Sequence, residues 1–290
     1  MDNQKKQLKI YESVNEFFIR AIELKESGKI KAYFEFLKKA PDHAPFNNTL
    51  VFIQNPNCGY YATASQWEKR FKRTVKIDAR PMVALLPFGP VDFVYDIDDT
   101  EGEQITDEKI LFWWRQNGGT LDEKIIKNTH LNLEALGVRY NNLDARKYFE
   151  DVNFTTGGYA QRTHLDNELS IVLHPRYSES SIEAYGLLCH EIAHILLGHL
   201  GQVALPPKKE DEKRKEIVKY RQDIPKHIKE LEAELVAWIV FNSLGIDKNS
   251  ESYIAGWLNN QNDISGMSMS DILRVAGKIQ DMGRRRNIFR

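Results

Sequence analysis

Apolar positions follow a helical rhythm at the start of the chain, change to strict alternation, and then return to the helical rhythm. Leu8, Tyr11, Val14, Phe18 and Ile22 recur every three to four residues and predict an amphipathic helix over roughly 8–26. Gly28 is expected to break it, and Ile30, Tyr33, Phe34 and Leu37 predict a second helix running to Pro41. Residues 47–54 are apolar enough for a short buried helix. Ser65 and Glu68 have capping-box spacing ahead of a helix that carries Trp67 and Phe71 one turn apart. After Arg73 the period becomes two: Val75 and Ile77 alternate, 82–88 reads as an apolar strand, and Val91, Phe93, Tyr95 and Ile97 alternate again. Asp98 to Gly102 is expected to end that sheet. Helices are expected at 106–117 and 121–136, and Leu169, Ile171 and Leu173 predict a further strand. The run 208–216, rich in Lys and Glu, reads as a solvated helix or loop. The expected class is α+β: N-terminal helices plus a small antiparallel sheet, then a mainly helical domain with a short sheet. The expected division is 1–110 and 111–290.

Length and composition agree with two ordinary domains: 290 residues, 42% apolar and 28% charged, enough to bury a core. No apolar run approaches the ~20 residues that span a bilayer, and the polar start lacks a signal-peptide core, so a cytoplasmic protein without a membrane partner is expected. The two cysteines, Cys58 and Cys189, make neither a disulfide scaffold nor a metal pair by spacing. Net charge is −1 but uneven. Residues 1–80 carry 15 Lys and Arg against 9 Asp and Glu, and residues 81–130 carry 4 against 10. A basic first module is compatible with a nucleic-acid partner and equally with solvated surface charge.

The chemistry concentrates in one segment, where His190 and His194 flank Glu191 in the pattern H-E-x-x-H. Ser180 and Glu183 have capping-box spacing, which starts a helix near 181 and puts both histidines in its interior. Four residues apart, they lie about 40° around the axis and one turn along it, so both rings can grip one ion. Neutral imidazoles leave Zn2+ most of its charge, which brings the pKa of a bound water toward ~7. Glu191, next to the first histidine, can reach such a water as general base without itself ligating. The surrounding Leu187, Leu188, Ile192, Ala193, Ile195, Leu196 and Leu197 argue against mere surface decoration, because buried polar groups need partners.

A third ligand would leave a fourth position open, as catalytic zinc requires. The longer H-E-x-x-H-x-x-G-x-x-H pattern would need a histidine where Leu200 stands and a glycine one place before Gly198, so it fails. His199 would lie about 140° around a continued helix from His194 and reads as a structural histidine near the helix end. A second helix, with Asp223 as cap, Pro225 in its first turn and Gly245 at its end, carries Glu230, Glu232 and Glu234. Glu230 and Glu234 share a face, and Glu232 points about 200° from Glu230. Glu230 is therefore the expected ligand and Glu234 the residue supporting a ligand histidine. A solvated acidic face is the competing reading, and His227 is the next candidate ligand.

The run from His190 to His199, the strand at 169–173 and the helix bearing Glu230, Glu232 and Ala233 together resemble the ImmA/IrrE family of zincin-like metallopeptidases. In zincin-like enzymes with a glutamate ligand, the pattern Glu-x-x-Ala and a following acidic or amide residue supplies that ligand from its first position. The resemblance carries the role to Glu230, with Glu234 in support. In the first half, Pro45 to Pro56, Ala62-Thr63, Gln66-Trp67 and Arg73 to Lys76 are similar to the single-stranded-DNA-binding domain of ArdC-type antirestriction proteins. Those proteins join that domain to a zincin-like metallopeptidase domain, and Ser252 to Leu258 resembles the end of that family. Where the family has a glycine-rich turn after the tryptophan, this chain has Phe71 to Asp78 without glycine.

These readings imply a zinc-dependent metallopeptidase that cuts a peptide bond in a protein target, with single-stranded DNA as a second partner. The alternative is an antirestriction or accessory DNA-binding protein whose zinc domain is not proteolytic. Lys69, Arg70, Lys72, Arg73 and Lys76 are the expected phosphate contacts. Trp67, Phe71, Tyr60 and Tyr61 are candidates for base stacking, with Trp67 and Phe71 equally readable as core.

Overall fold

The computed structural model describes residues 12, 14–16, 27–39, 43–85, 91–106, 121–141, 157–163, 167–177, 181–205, 215–218, 220–246 and 266–289. Most of the expected helix over 8–26, all but the first residue of that over 106–117, and Ser252 to Leu258 lie outside them. The chain is α+β and forms two compact units, one of Met1–Gly119 with Asn242–Ile246 and one of Thr120–Phe241 with Asp247–Arg290.

In the first unit, α1 (Ser27–Lys39) packs on α2 (Pro45–Gln54). Gly28 lies in the first turn of α1, where a glycine costs little because few intrahelical bonds depend on it, and the end of the helix it was expected to break lies outside the described residues. The strand β1 (Tyr61–Thr63) leads into α3 (Ala64–Phe71). The cap of α3 is Thr63, whose hydroxyl accepts from Gln66 N while Gln66 Oε1 accepts from Thr63 N. The capping box thus sits two residues before the expected Ser65/Glu68 pair, because Ser65 is already helical. Trp67 and Phe71 face inward from α3, fully buried with Ala62, and the Trp67 indole donates to Tyr95 O at 2.9 Å.

The strands β2 (Arg73–Val75), β3 (Met82–Ala84), β4 (Asp92–Asp96) and β5 (Thr100–Gly102) complete this unit. The sheet order is β1-β4-β3, all antiparallel, and β2 pairs antiparallel with β5 in a separate two-stranded sheet. Two expectations change here. Ile77 is not a strand residue and is fully exposed in a turn, and 98–102 does not simply end the sheet, since Thr100 to Gly102 pairs with β2.

The second unit contains α4 (Glu123–Ala135), β6 (Val138–Tyr140), β7 (Gly158–Arg162), β8 (Leu169–Leu173), α5 (Ile182–Leu196), β9 (Val203–Leu205), β10 (Lys215–Val218), α6 (Lys226–Ser243) and α7 (Met269–Arg284). The sheet order is β6-β8-β7, with β6 parallel and β7 antiparallel to β8. All five residues of β8 are buried, as a central strand covered on both faces requires. The helix α5 packs on β7 and β8, and α4 packs on α7. Gly283 makes that last approach possible: a Cβ there would stand 2.7 Å from Ile125 Cγ2. The last two residues of the charged run, 215 and 216, begin β10, which pairs antiparallel with β9. Among the described residues no helix is long and apolar enough to cross a membrane.

Candidate metal centre

The centre is built on α5 and α6. Ser181 caps α5, one residue later than the Ser180 expected, and its hydroxyl accepts from Ala184 N at 3.0 Å. Pro225, rather than Asp223, directly precedes α6. The two helices bring His190, His194 and Glu230 together with one donor atom each. His190 Nε2 lies 3.2 Å from His194 Nε2, and Glu230 Oε2 lies 3.5 Å from the first and 3.8 Å from the second.

This donor set fits a small divalent ion. Ligands about 2.0–2.1 Å from a tetrahedral zinc stand about 3.3–3.4 Å apart, close to the edges of this triangle. Two imidazoles and a carboxylate are also the donor chemistry of catalytic zinc.

Glu191 is almost fully buried beside the triangle, and the Ala160 backbone N–H of β7 donates to it. Burial raises its pKa above the ordinary carboxylate range, against the pull of His190 and His194. Burial draws His190 down, but Glu230 and Glu234 overcome this and lift it to about 9. Glu230 is held far below the usual carboxylate range by hydrogen bonds to His190 and His194.

Of the supporting residues, Glu234 Oε2 lies 3.4 Å from His190 Nδ1. His227 is not part of the donor cluster. Sequence reasoning missed the environment of His194. Its Nδ1 is 2.9 Å from His199 Nδ1, and His199 Nε2 is 2.9 Å from Glu232 Oε2. Both guanidinium arms of Arg221 donate to Glu232, each at 2.8 Å.

His199 reaches His194 because it is not on the helix. Gly198 has φ 80°, Gly198 N donates to Ile195 O, and His199 N donates to His194 O. This is the Schellman arrangement, which folds the second residue past the cap back onto the last turn. The 140° separation expected of a continued helix therefore does not apply. The signal was Gly198 just past the end of the apolar run, which can be read as a left-handed stop.

The expected nucleic-acid residues fare unevenly. Lys69, Arg70 and Lys72 are exposed, with Lys72 in the left-handed conformation closing α3. Arg73 is committed internally, to Thr100 Oγ1 at 2.7 Å, Glu103 O at 2.6 Å and Thr100 O at 2.7 Å. Lys76 Nζ donates to Asp98 O at 2.7 Å. Trp67, Phe71 and Tyr61 are core, and Tyr60 packs against the Trp67 cluster. The exposed aromatic of β4 is Phe93.

The chain is thus an α+β protein with a His/His/Glu cluster that can hold a metal ion. No protein-family model matches it, and no curated protein does, so the expected ImmA/IrrE relationship rests on the motif residues alone. Among solved structures it is similar to the Mn(II)-bound crystal structure of the antirestriction ArdC protein from the R388 plasmid, at 14% identity. That likeness covers 88% of this chain and 95% of the other with a TM-score of 0.38, too distant to carry an argument about the site.

Proposed function

We propose that the chain is a zinc-dependent hydrolase that cuts a peptide bond in a protein target, with His190, His194 and Glu230 as metal ligands and Glu191 as general base. The observation that carries this reading is the donor triangle with a buried carboxylate at its side. When bound, the ion supplies positive charge that polarises a carbonyl and acidifies water. Glu191 receives the proton of the attacking water and hands it to the leaving amine. Burial favours the protonated form of Glu191, the form that makes this second transfer. A purely structural site has no use for a carboxylate there. Zn2+ content and cleavage of casein or a candidate partner, compared between wild type and Glu191→Gln, test the proposal. An unchanged rate in the variant removes Glu191 from the mechanism, and wild type without bound metal removes the site.

A second reading is an antirestriction or accessory DNA-binding protein whose metal domain is not proteolytic. The similar solved structure is of an antirestriction protein with Mn(II) bound. On this chain, the observation that favours the reading is a set of three exposed cations, Lys69, Arg70 and Lys72, suited to phosphate contacts. Titrating labelled single-stranded oligonucleotide at low and physiological salt decides it. Binding should weaken steeply with salt and be lost on charge reversal at Arg70 and Lys72. No binding at low salt sinks this reading.

A further inference from the structure

We infer that His199 and Glu232, anchored by Arg221, are positioning residues that dictate which nitrogen of His194 carries its proton and so keep the Nε2 lone pair turned toward the donor triangle. The inference rests on the metal reading above.

Single protons decide the matter. A neutral imidazole has one N–H and one bare nitrogen. His194 Nε2 faces His190 Nε2 and Glu230 Oε2, so for it to ligate, its proton must sit on Nδ1. That Nδ1 is 2.9 Å from His199 Nδ1, and two ring nitrogens at this distance share one proton: one donates and the other accepts. If His194 donates, His199 Nδ1 is bare and its proton is on Nε2, where it is donated to Glu232 Oε2. The reverse assignment would set a bare His199 Nε2 against a carboxylate oxygen, lone pair facing lone pair. A doubly protonated His199 would also drive the His194 proton onto the ligating nitrogen.

Glu232 is what makes the direction one-way. It is fully buried and receives three N–H groups independent of His199, two from Arg221 and one from Ser268 N at 2.7 Å, with His199 Nε2 at 2.9 Å from its Oε2. Its carboxylate oxygens are all met by donors, so it acts toward His199 as an acceptor. Arg221 already balances its charge, which leaves no unmatched charge for a cationic His199 to answer. The left-handed Gly198 supplies the geometry, because it returns His199 to the end of α5. His190 is oriented by a different means, a carboxylate on the neighbouring helix, Glu234, meeting its Nδ1 directly.

Two measurements on the full chain test this. Long-range proton–nitrogen spectra of the metal-free wild type, with histidine labelled, should show His194 protonated on Nδ1 and His199 on Nε2. A His199 protonated on Nδ1, or on both nitrogens, overturns the inference and needs no variant to fold. Zn2+ affinity is then measured by competition with a chromophoric chelator. His199→Leu, which removes the acceptor, should weaken binding about 10–100-fold. His199→Asn, whose amide oxygen can stand where Nδ1 stood, should restore most of it. Leu binding as tightly as wild type, or Asn as weakly as Leu, overturns the positioning role. A wild type that takes up no Zn2+ overturns the metal reading instead, and the tautomers then decide the positioning claim alone.

Discussion

Donor–acceptor pairs in the first unit and the donor triangle in the second arrange polar side chains in opposite ways. In the first, polar groups meet as donor and acceptor. The Tyr33 and Thr49 hydroxyls lie 2.6 Å apart, and Thr49 also donates to Pro45 O. Asn48 Oδ1 accepts from Tyr61 OH, and His43 stacks on Tyr61 while meeting its carbonyl at 3.1 Å. In the second, His190 and His194 turn like atoms toward each other and toward a carboxylate. A donor–acceptor pair satisfies both its members, whereas two ring nitrogens and a carboxylate oxygen gathered within 3.8 Å form a set that one cation can satisfy together. Burial of polar groups alone does not mark a site; the pattern of donors and acceptors does.

Four measurements press on that contrast. The largest effect is expected at Glu191. Glu191→Gln should keep zinc and lose hydrolysis by ~10²–10⁴, the range of general-base removal, as read by single-substrate turnover beside metal analysis. Next, Zn2+ at 100 times its Kd should stabilise the wild type by about 2.7 kcal/mol. His194→Ala should abolish both that gain and stoichiometric zinc; full occupancy in the variant would break the site. No substitution among the donor–acceptor pairs of the first unit should alter the zinc response.

The third concerns His43, whose pKa burial lowers to about 4, against the Tyr61 carbonyl that supports the charged form, with Arg70 adding to the fall. Its folded value lies below the ordinary 6.5, so the unfolded chain binds the extra proton. The stability this confers is complete above pH 6.5 and is lost as pH falls toward 4. Melting curves across that window should slope more steeply for wild type than for His43→Phe, which keeps a ring on Tyr61 but cannot titrate. Equal slopes would detach His43 from the acid response. Smallest is Tyr33→Phe, expected to cost about 1 kcal/mol, the net worth of one buried hydrogen bond, by denaturant titration. A loss several times larger would mean that the Tyr33 hydroxyl does more than a single buried hydrogen bond.

What could be read from the sequence was whatever local geometry determines. His190 and His194 share a face because four residues make one helical turn, and Glu230 and Glu234 do so for the same reason. Trp67 and Phe71 announced a helix, although spacing alone did not tell core from stacking platform. Arg73 and Lys76 looked like phosphate contacts because their carbonyl partners, on Thr100, Glu103 and Asp98, lie more than twenty residues away. Glu232 was set aside for pointing away from Glu230, which is true of the helix and irrelevant to a histidine 33 positions earlier. The caps of α3 and α5 slipped by one or two residues because neighbouring Ser and Thr offer the same chemistry.

The left-handed turn at Gly198 bears on any attempt to transplant this centre into another scaffold. The portable piece is not the five letters from His190 to His194 but the ten from His190 to His199, glycine included. A host helix that runs on past the graft would carry the ligands and leave the second one unsteered. A graft that ends the host helix with its own left-handed glycine, and supplies a carboxylate to receive His199, would import the alignment together with the atoms.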